Sequence, residues 1–180
     1  MTRRHAWLVG LVAAFVAAAT WFFMGRGHDQ LAVDLMSEFP KAHKQPADDV
    51  FQTIDASVKG RSLPSIFVAL PSRLTFSHVT IPDSAWLKVS LGVKEEGWTI
   101  RGDGVTFMIV ISDGKRPEGL LTRDMNPYGV PADRGWRDEM IDLSDYAGET
   151  VDLIFNTCAG PQNDTNGDLA LWGAPRIVVR

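Results

Sequence analysis

The stretch Leu87-Lys88-Val89-Ser90-Leu91-Gly92-Val93 decides the fold class of this chain, because apolar residues alternate along it with polar or small ones. Successive side chains of a β-strand point to opposite faces, so this pattern buries one face and leaves the other in solvent. An amphipathic helix would need apolar residues three and four positions apart instead. The alternation therefore predicts a half-buried strand.

Strand patterns continue on both sides of this stretch. Residues 105–111 are apolar almost throughout, which predicts a central strand covered on both faces. Further strands are predicted at residues 50–54, 65–70, 74–81, 136–143, 151–157, 169–172 and 176–179. Short strands separated by turn residues, with no long helical period among them, predict an all-β sandwich or barrel over residues 50–180.

The first 25 residues have a different composition. Residues 6–24 carry no charged side chain, and Arg3 and Arg4 precede them. A helix rises about 1.5 Å per residue, so such a run nearly crosses a hydrocarbon core of roughly 30 Å. We predict one N-terminal transmembrane helix at residues 1–25, of which residues 6–24 lie in the lipid bilayer. The membrane-interface residues would be Trp7, Trp21, Phe22 and Phe23.

A removable secretion signal is the alternative interpretation of this segment. Its apolar region would be residues 7–16, followed by Ala17-Ala18-Ala19 as a cleavage site. The apolar run continues past that site, which favours a retained signal anchor. Because positive charge stays in the cytoplasm, we expect a single-pass protein of the bacterial inner membrane whose domain faces the periplasm.

Residues 26–49 are predicted to be a linker with a short amphipathic segment. Its apolar residues are Leu31, Val33, Leu35, Met36 and Phe39, and Pro40 ends the segment. Lying next to the membrane, this strip would be available to a neighbouring subunit.

Composition excludes several classes of function. The chain has 180 residues, a formal net charge of −4 and one cysteine, Cys158. No run of five basic residues occurs, so nucleic acid is not an expected partner. A single cysteine rules out an internal disulfide. The chain also lacks Gly-x-Ser-x-Gly, His-Glu-x-x-His and phosphate-loop motifs, and we predict no catalytic activity.

Several strand motifs resemble those of a known fold family. They are Leu74-x-Phe76, Asp103-Gly104-Val105-x-Phe107, Trp136-x-Asp138, Leu143-Ser144-x-Tyr146-Ala147-Gly148, Val151-x-Leu153-x-Phe155 and Trp172-Gly173-x-Pro175-Arg176. Together they resemble the jelly-roll β-sandwich of galactose-binding-like and carbohydrate-binding modules, over about residues 50–179. The resemblance implies binding without catalysis. It transfers no site residue, because sugar sites in such folds lie on variable loops or on a sheet face.

Aromatic side chains beside hydrogen-bonding groups are the candidates for a binding site. The four candidate rings are those of Trp98, Tyr128, Trp136 and Trp172. We expect Trp136 and Trp172 in the core, and Trp98 and Tyr128 at the surface. Residues 119–135 are predicted to form a long loop that carries Leu121, Tyr128 and Arg134. Apolar, aromatic and arginine side chains of this kind are enriched in interfaces.

The stretch Asn163-Asp164-Thr165-Asn166-Gly167-Asp168 places oxygen ligands two residues apart around a glycine. Such spacing suits a hard cation, so Asp164, Asn166 and Asp168 are candidate ligands of a structural Ca²⁺. An ordinary polar turn is the alternative. No other cofactor is predicted.

Two functional hypotheses follow. The first is a non-catalytic accessory subunit of a respiratory, secretion or photosynthetic membrane complex, whose sandwich braces integral membrane proteins. Its contacts would come from Leu31, Leu35, Phe39, Trp98, Leu121, Tyr128 and Arg134. The alternative is a membrane-anchored carbohydrate-binding module that recognises envelope glycans.

Overall fold

A computed structural model of the chain describes residues 29–180, which form two packed antiparallel β-sheets. The strands are β1 (Gln30–Asp34), β2 (His43–Gln45), β3 (Phe51–Val58), β4 (Arg61–Val68), β5 (Ser72–Thr80), β6 (Ala85–Val93), β7 (Val105–Ser112), β8 (Pro117–Met125), β9 (Arg137–Asp142), β10 (Thr150–Ala159) and β11 (Ala170–Val179). The short helix α1 spans Leu35–Glu38, and 3₁₀ turns lie at Phe39–Lys41, Asp48–Val50, Glu95–Gly97, Pro131–Asp133 and Ser144–Tyr146. Residues 31–179 form one compact unit; the other unit, residues 1–30 with Arg180, lies almost wholly outside the described residues.

The first sheet, here the six-stranded sheet, has the order β3-β4-β11-β6-β9, and β1 also pairs with β11. The second, the five-stranded sheet, has the order β2-β5-β10-β7-β8. Neighbours in each sheet are mostly distant in sequence, as in a jelly roll. The predicted all-β antiparallel sandwich is confirmed.

The stretch from Leu87 to Val93 forms most of β6. Leu87, Val89, Leu91 and Val93 are buried in the core. On the opposite face Lys88 is half-buried, whereas Ser90 and Gly92 are covered, so the strand leaves less surface in solvent than its alternation predicts. Alternation along β7 buries Phe107 in the same core. The outward residues of β7, however, are only half-buried, so the expectation that both faces of this strand are covered is wrong.

The centre of the core is a cluster of aromatic rings from both sheets. Phe107 and Trp172 meet edge to face at 5.0 Å between centroids, and Phe155 stacks on Trp172 at 4.8 Å. The indole N–H of Trp172 donates to Thr157 Oγ1 at 2.9 Å, which satisfies the buried polar atoms. Trp172 is therefore a core residue, as predicted.

Two predicted segments at the end of the chain form one strand, β11. A register shift lies between Gly173 and Arg176, and Ala174 adopts a positive φ of 42° there. A bulge of this kind inserts residues without ending the pairing, so the pattern of alternation breaks although the strand continues.

The long loop predicted at residues 119–135 is wrong. Residues up to Met125 belong to β8, an edge strand that pairs with β7. Pro117 and Gly119 obscured this strand in the sequence, because both residue types are depleted in strands and are tolerated at an edge or a bulge. The loop between β8 and β9 is thus limited to residues 126–136.

The linker prediction for residues 26–49 also needs correction. The sandwich begins at β1, and α1 places Leu35 in the core with no exposed surface. The Asp34 carboxylate accepts a hydrogen bond from the Met36 N–H at 3.0 Å and caps this turn. Residues from about 30 onward are therefore part of the domain.

The predicted transmembrane helix at residues 1–25 and its interface residues Trp7, Trp21, Phe22 and Phe23 lie outside the described residues. Between residues 29 and 180, no helix is long and apolar enough to cross a membrane.

Candidate functional site

The outer face of the six-stranded sheet carries a shallow groove of about 210 Å³. We call it the outer-face groove. Its lining side chains include Arg61, Lys88, Ser90, Asp138, Met140 and Arg176. They come from β4, β6, β9 and β11, and Val89 and Glu139 complete the lining. The groove therefore joins residues that lie far apart in sequence.

Strand register explains why these side chains share one face. Leu87 and Leu91 of β6 point into the core, so Lys88 and Ser90 point outward. Lys88 pairs with Met140 of β9 on one side and with Arg176 of β11 on the other. The same alternation that builds the core thus sets the polar residues of the groove.

A charged pair crosses the groove. Arg61 donates from Nη1 to both carboxylate oxygens of Asp138, at 3.0 and 2.7 Å, and the Ser90 hydroxyl donates to the same carboxylate. The hydrogen bond from Arg61, helped by that from Ser90, lowers the pKa of Asp138 below its ordinary value. About half of each charged side chain is exposed, so the pair contributes little to stability and remains accessible to a ligand.

Trp136 lies next to this pair and forms an aromatic platform on the same face. A Cβ atom placed on Gly92 or on Gly173 would stand 2.8 Å from its ring, so both positions must be glycine for the ring to lie flat on the sheet. The indole N–H donates to the Arg61 carbonyl oxygen at 2.8 Å. Trp136 was predicted to lie in the core. The ring is half-buried and packs with one side on the sheet, so that prediction is confirmed only for this side.

The Trp136 ring packs against a small apolar cluster that is separate from the main core. Its buried members are Ala56, Val58 and Leu171, and Ile54, Phe67, Trp98 and Trp136 pack against them. Trp98, predicted to be a surface binding residue, donates its indole N–H to the Val93 carbonyl oxygen at 2.9 Å and packs on this cluster and on the main core. We therefore assign Trp98 a packing role.

The remaining loop candidates lie between β8 and β9. Tyr128 is 45% exposed, in agreement with the expected surface position. Arg134 donates from Nε to the Pro127 carbonyl oxygen at 2.8 Å, and the Asn126 N–H donates to Asp133 at 2.9 Å. These bonds order the loop internally.

The predicted docking residues do not form one surface. Leu31 is 57% exposed, whereas Leu35 is fully buried and cannot reach a partner. Phe39 and Leu121 are half-buried and pack against the core. Their apolar side chains serve the domain's own packing, because the segments that carry them are a capped turn and a paired strand.

A second depression, of about 420 Å³, lies along β5 between residues 76–80 and the segment around Glu38 and Lys41. Its one phenyl ring, that of Phe76, is 2% exposed, so the exposed His78 imidazole is the ring that the depression offers to a ligand. The smaller outer-face groove has hydrogen-bonding groups in its lining, and the Trp136 ring lies beside it on the same sheet face.

The loop before β11 holds a cluster of carboxylates. Asp168 is 8% exposed, and one of its oxygens and one of Asp103 are buried without a hydrogen-bond partner. Burial, together with the negative charges of Asp103 and Asp164, raises the pKa of Asp168 to about 7. The Asn166 N–H donates to Asp164 at 3.0 Å, as in an ordinary polar turn.

Unpartnered buried carboxylate oxygens are what a bound cation would satisfy, so Asp103 and Asp168 fit a Ca²⁺ ligand set. Asp103 was missed in the sequence because 65 positions of chain separate the two residues. Across the described part of the chain, no three His, Cys, Asp or Glu side chains are arranged to hold a metal by themselves. Backbone and amide oxygens would have to supply the other ligands.

Comparisons with known proteins bear on this fold. No protein-family model matches the chain. An uncharacterised protein of Archaeoglobus fulgidus is 40% identical over 107 residues, which are 59% of this chain and 27% of that protein. The chain thus spans about a quarter of the length of the curated relative that it matches.

Solved structures of carbohydrate-binding modules share the architecture. A CBM51 module of Clostridium perfringens GH95, solved with methyl-galactose, has a TM-score of 0.53 and 14% identity, and covers 82% of this chain and 99% of the module. CBM27-1 of Caldicellulosiruptor saccharolyticus, solved with mannohexaose, has a TM-score of 0.55 and 10% identity over 85% and 97% of the two chains. TmCBM61, solved with β-1,4-galactotriose, has a TM-score of 0.54 and 10% identity over 86% and 100%. The chain has the jelly-roll β-sandwich fold of these modules.

Proposed function

We propose that this domain is a non-catalytic carbohydrate-binding module that holds a saccharide in the outer-face groove. The observation that carries the proposal is the position of the half-exposed Trp136 ring beside the Arg61–Asp138 pair on one sheet face. Sugar rings present C–H faces that pack on aromatic rings, and hydroxyl groups that exchange hydrogen bonds with charged side chains. The shared fold with carbohydrate-binding modules supports the proposal.

The experiment is a calorimetric titration of the full-length chain with methyl-galactose, β-1,4-galactotriose and mannohexaose. We expect at least one to bind, and expect Trp136→Ala and Asp138→Asn each to weaken binding about tenfold or more. Trp136→Phe keeps a ring and should retain part of the affinity. Thermal melting of each variant checks that the fold is intact.

Tyr128→Ala is the matched control, because it removes an exposed aromatic ring outside the groove. Unchanged binding by this variant supports the groove as the site. Loss of binding with Tyr128→Ala, and its retention with Trp136→Ala, would move the site to the loop between β8 and β9. Absence of binding to every saccharide in a broad glycan panel would overturn the proposed function.

The hypothesis of an accessory subunit receives less support. Of its seven predicted contact residues, Leu35 is buried and Trp98, Phe39 and Leu121 pack within the domain. The solved structures named above are carbohydrate-binding modules. Substitution of Leu35 by a polar residue would unfold the domain instead of releasing a partner.

Two further parts of the proposal concern a metal ion and the location of the domain. A structural Ca²⁺ would be held by Asp168 and Asp103, with Asp164 and Asn166 close by, and would neutralise their buried negative charge. The charge-free run at residues 6–24 would keep the module at the outer surface of the bacterial inner membrane, facing the periplasm and its glycans.

A further inference from the structure

Strand β3 is an edge of the six-stranded sheet, and within residues 29–180 its only strand partner is β4. The two strands are joined by the turn Lys59-Gly60, whose residues both have a positive φ. One residue before β3, the Val50 carbonyl oxygen accepts from the Ala69 N–H at 2.8 Å. Bonded and non-bonded positions alternate along an antiparallel pair. The even-numbered residues of β3 therefore bond to β4, and the odd-numbered ones direct their N–H and C=O groups away from it.

The outward-directed backbone groups of β3 are available to a further strand. Phe51 donates its N–H to the Asp48 carbonyl oxygen, and the odd-numbered residues after it are Thr53, Asp55 and Ser57. These three residues are exposed, and no hydrogen bond between residues 29 and 180 takes up their N–H and C=O groups. A row of unpaired backbone groups on an edge strand is a template for pairing with another chain.

The other two long edge strands carry features that prevent such pairing. β8 contains Pro117, Gly119 and a bulge, and four of the six residues of β9 are charged. β3 has no proline, glycine, lysine or bulge along its eight residues, and its one charged residue is Asp55. Because native proteins usually protect their edges with such features, the regular and open edge of β3 points to a partner strand.

We infer that β3 is a dimer interface, where two copies of this chain pair their β3 strands antiparallel about a two-fold axis at Ile54. In this register Thr53 of one copy faces Asp55 of the other, and a threonine hydroxyl can donate to a carboxylate. A shift of the two-fold axis by one residue towards the turn places Asp55 opposite Asp55, and like charges in that position destabilise a sheet. The inferred register pairs almost the whole strand and avoids this repulsion.

Charges at the two ends of β3 favour the same register. Lys59 lies in the turn after the strand and Asp49 lies just before it, and both side chains are exposed. Antiparallel pairing about Ile54 brings the turn of each copy next to the start of β3 in the other. Lys59 of one copy therefore approaches Asp49 of the other at both ends of the interface, and these opposite charges attract each other.

The side chain of Ile54 provides an apolar contact at the axis. It is half-buried and packs against the small apolar cluster that includes Ala56 and Val58. The two Ile54 side chains meet at a non-bonded position, where opposed side chains lie closest, and cover each other's remaining apolar surface. Because the two-fold axis is perpendicular to the joined sheet, both outer-face grooves open on the same side of the dimer. Simultaneous binding of two saccharide units rests on the proposed function, whereas the dimer itself does not.

A disulfide cross-link in the full-length chain tests the register, in native membranes or in detergent, with Cys158 replaced by serine. Ile54→Cys should give a covalent dimer under mild oxidation, because Cα atoms about 4.5 Å apart lie within disulfide range. Gln52→Cys is the matched control on the same strand. Residue 52 faces residue 56 of the other copy, so the two cysteines would stand roughly 13 Å apart and should not cross-link.

Charge substitutions test the interface without a cross-link. Light scattering of the detergent-solubilised chain should give the mass of a dimer. Thr53→Asp opposes carboxylates at two positions and should weaken dimerisation about tenfold, and the added change Asp55→Lys should restore it. Thr122→Asp on the exposed edge of β8 is the matched control and should leave the dimer unchanged.

Three results would overturn the inference: a monomeric mass at every concentration, equal cross-linking through residues 52 and 54, or a dimer that Thr53→Asp leaves intact. The last would place the association elsewhere in the chain. Saccharide binding by a monomeric chain would leave the proposed function standing, and a β3 dimer that binds no saccharide would support the interface alone.

Discussion

The ring of Trp136 lies on the backbone of Gly92 so closely that a Cβ atom at residue 92 would stand 2.8 Å from two of its carbon atoms. A second contact of the same kind, to Gly173, holds the ring from the neighbouring strand. The backbone of the sheet at these two glycines therefore sets the position of the Trp136 ring on the candidate binding face.

Gly92→Ala should therefore displace the ring. We expect a loss of roughly 1–3 kcal/mol in the free energy of unfolding, as for an overpacked site, and weaker saccharide binding. Gly119→Ala is the matched control, because a Cβ there meets no atom within 4 Å. Denaturant unfolding and sugar titration measure the two effects; wild-type values for Gly92→Ala would show that the ring is not held by this contact.

Phe107 should be among the most costly residues to truncate. Its ring is fully buried between the sheets and contacts Trp172, so Phe107→Ala should cost roughly 3–5 kcal/mol. Met108→Ala, on the outward face of the same strand, should cost about 1 kcal/mol or less. Similar midpoints of denaturation for the two variants would contradict the assignment of the inner face of β7.

The charged state of Asp138 should make saccharide binding insensitive to mild acid. The pKa of Asp138 is lower in the folded protein than its ordinary value of 3.8. The stability that the ionised carboxylate contributes is therefore present above pH 3.8 and is lost as the pH falls through the folded-state pKa. We expect equal affinities at pH 7 and pH 5 in the wild type. Binding that fails already at pH 5 would argue against an ionised Asp138 in the site.

Arg61→Ala should change the free energy of unfolding by less than about 1 kcal/mol, because the Arg61–Asp138 pair is half-exposed, and should nevertheless weaken saccharide binding.

Calcium should stabilise the loop before β11. A ligand that binds only the folded state adds stability, about 2.7 kcal/mol at a hundred times its dissociation constant. We expect Ca²⁺ to raise the melting temperature relative to a chelator, and Asp168→Asn to abolish this response while the exposed Asp145→Asn retains it. Should Asp168→Asn raise the melting temperature equally with and without Ca²⁺, Asp168 would be a buried acid relieved of its charge and not a ligand.

The N-terminal segment should remain on the mature protein. We expect the intact mass of protein purified from native membranes to include residues 1–25, because the apolar run extends beyond the potential cleavage site. A mature N-terminus near Thr20 would establish the alternative, a cleaved secretion signal.

Most strands could be predicted from the sequence because each has one buried face, and burial imposes a two-residue period on local composition. The period located β6, β7 and β10 within one or two residues at most of their ends. It missed β8, an edge strand with Pro117 and Gly119, since an edge tolerates residues that interrupt the pattern. It also missed β1, whose few apolar residues are too short a run to show a period, although α1 lies within the short amphipathic segment predicted to end at Pro40.

By itself, the sequence determined the fold class, the buried residues of the central strands, the buried position of Trp172 and the acidic turn around Asp168. Only the tertiary structure decided which outward residues meet. Arg61 and Asp138 are 77 positions apart, and Lys88 and Arg176 become neighbours through the register of β6 and β11. The period of a strand shows which face a residue occupies, but not which strand lies beside it. That pairing depends on the packing of the whole core, and so the groove and its platform are properties of the folded chain.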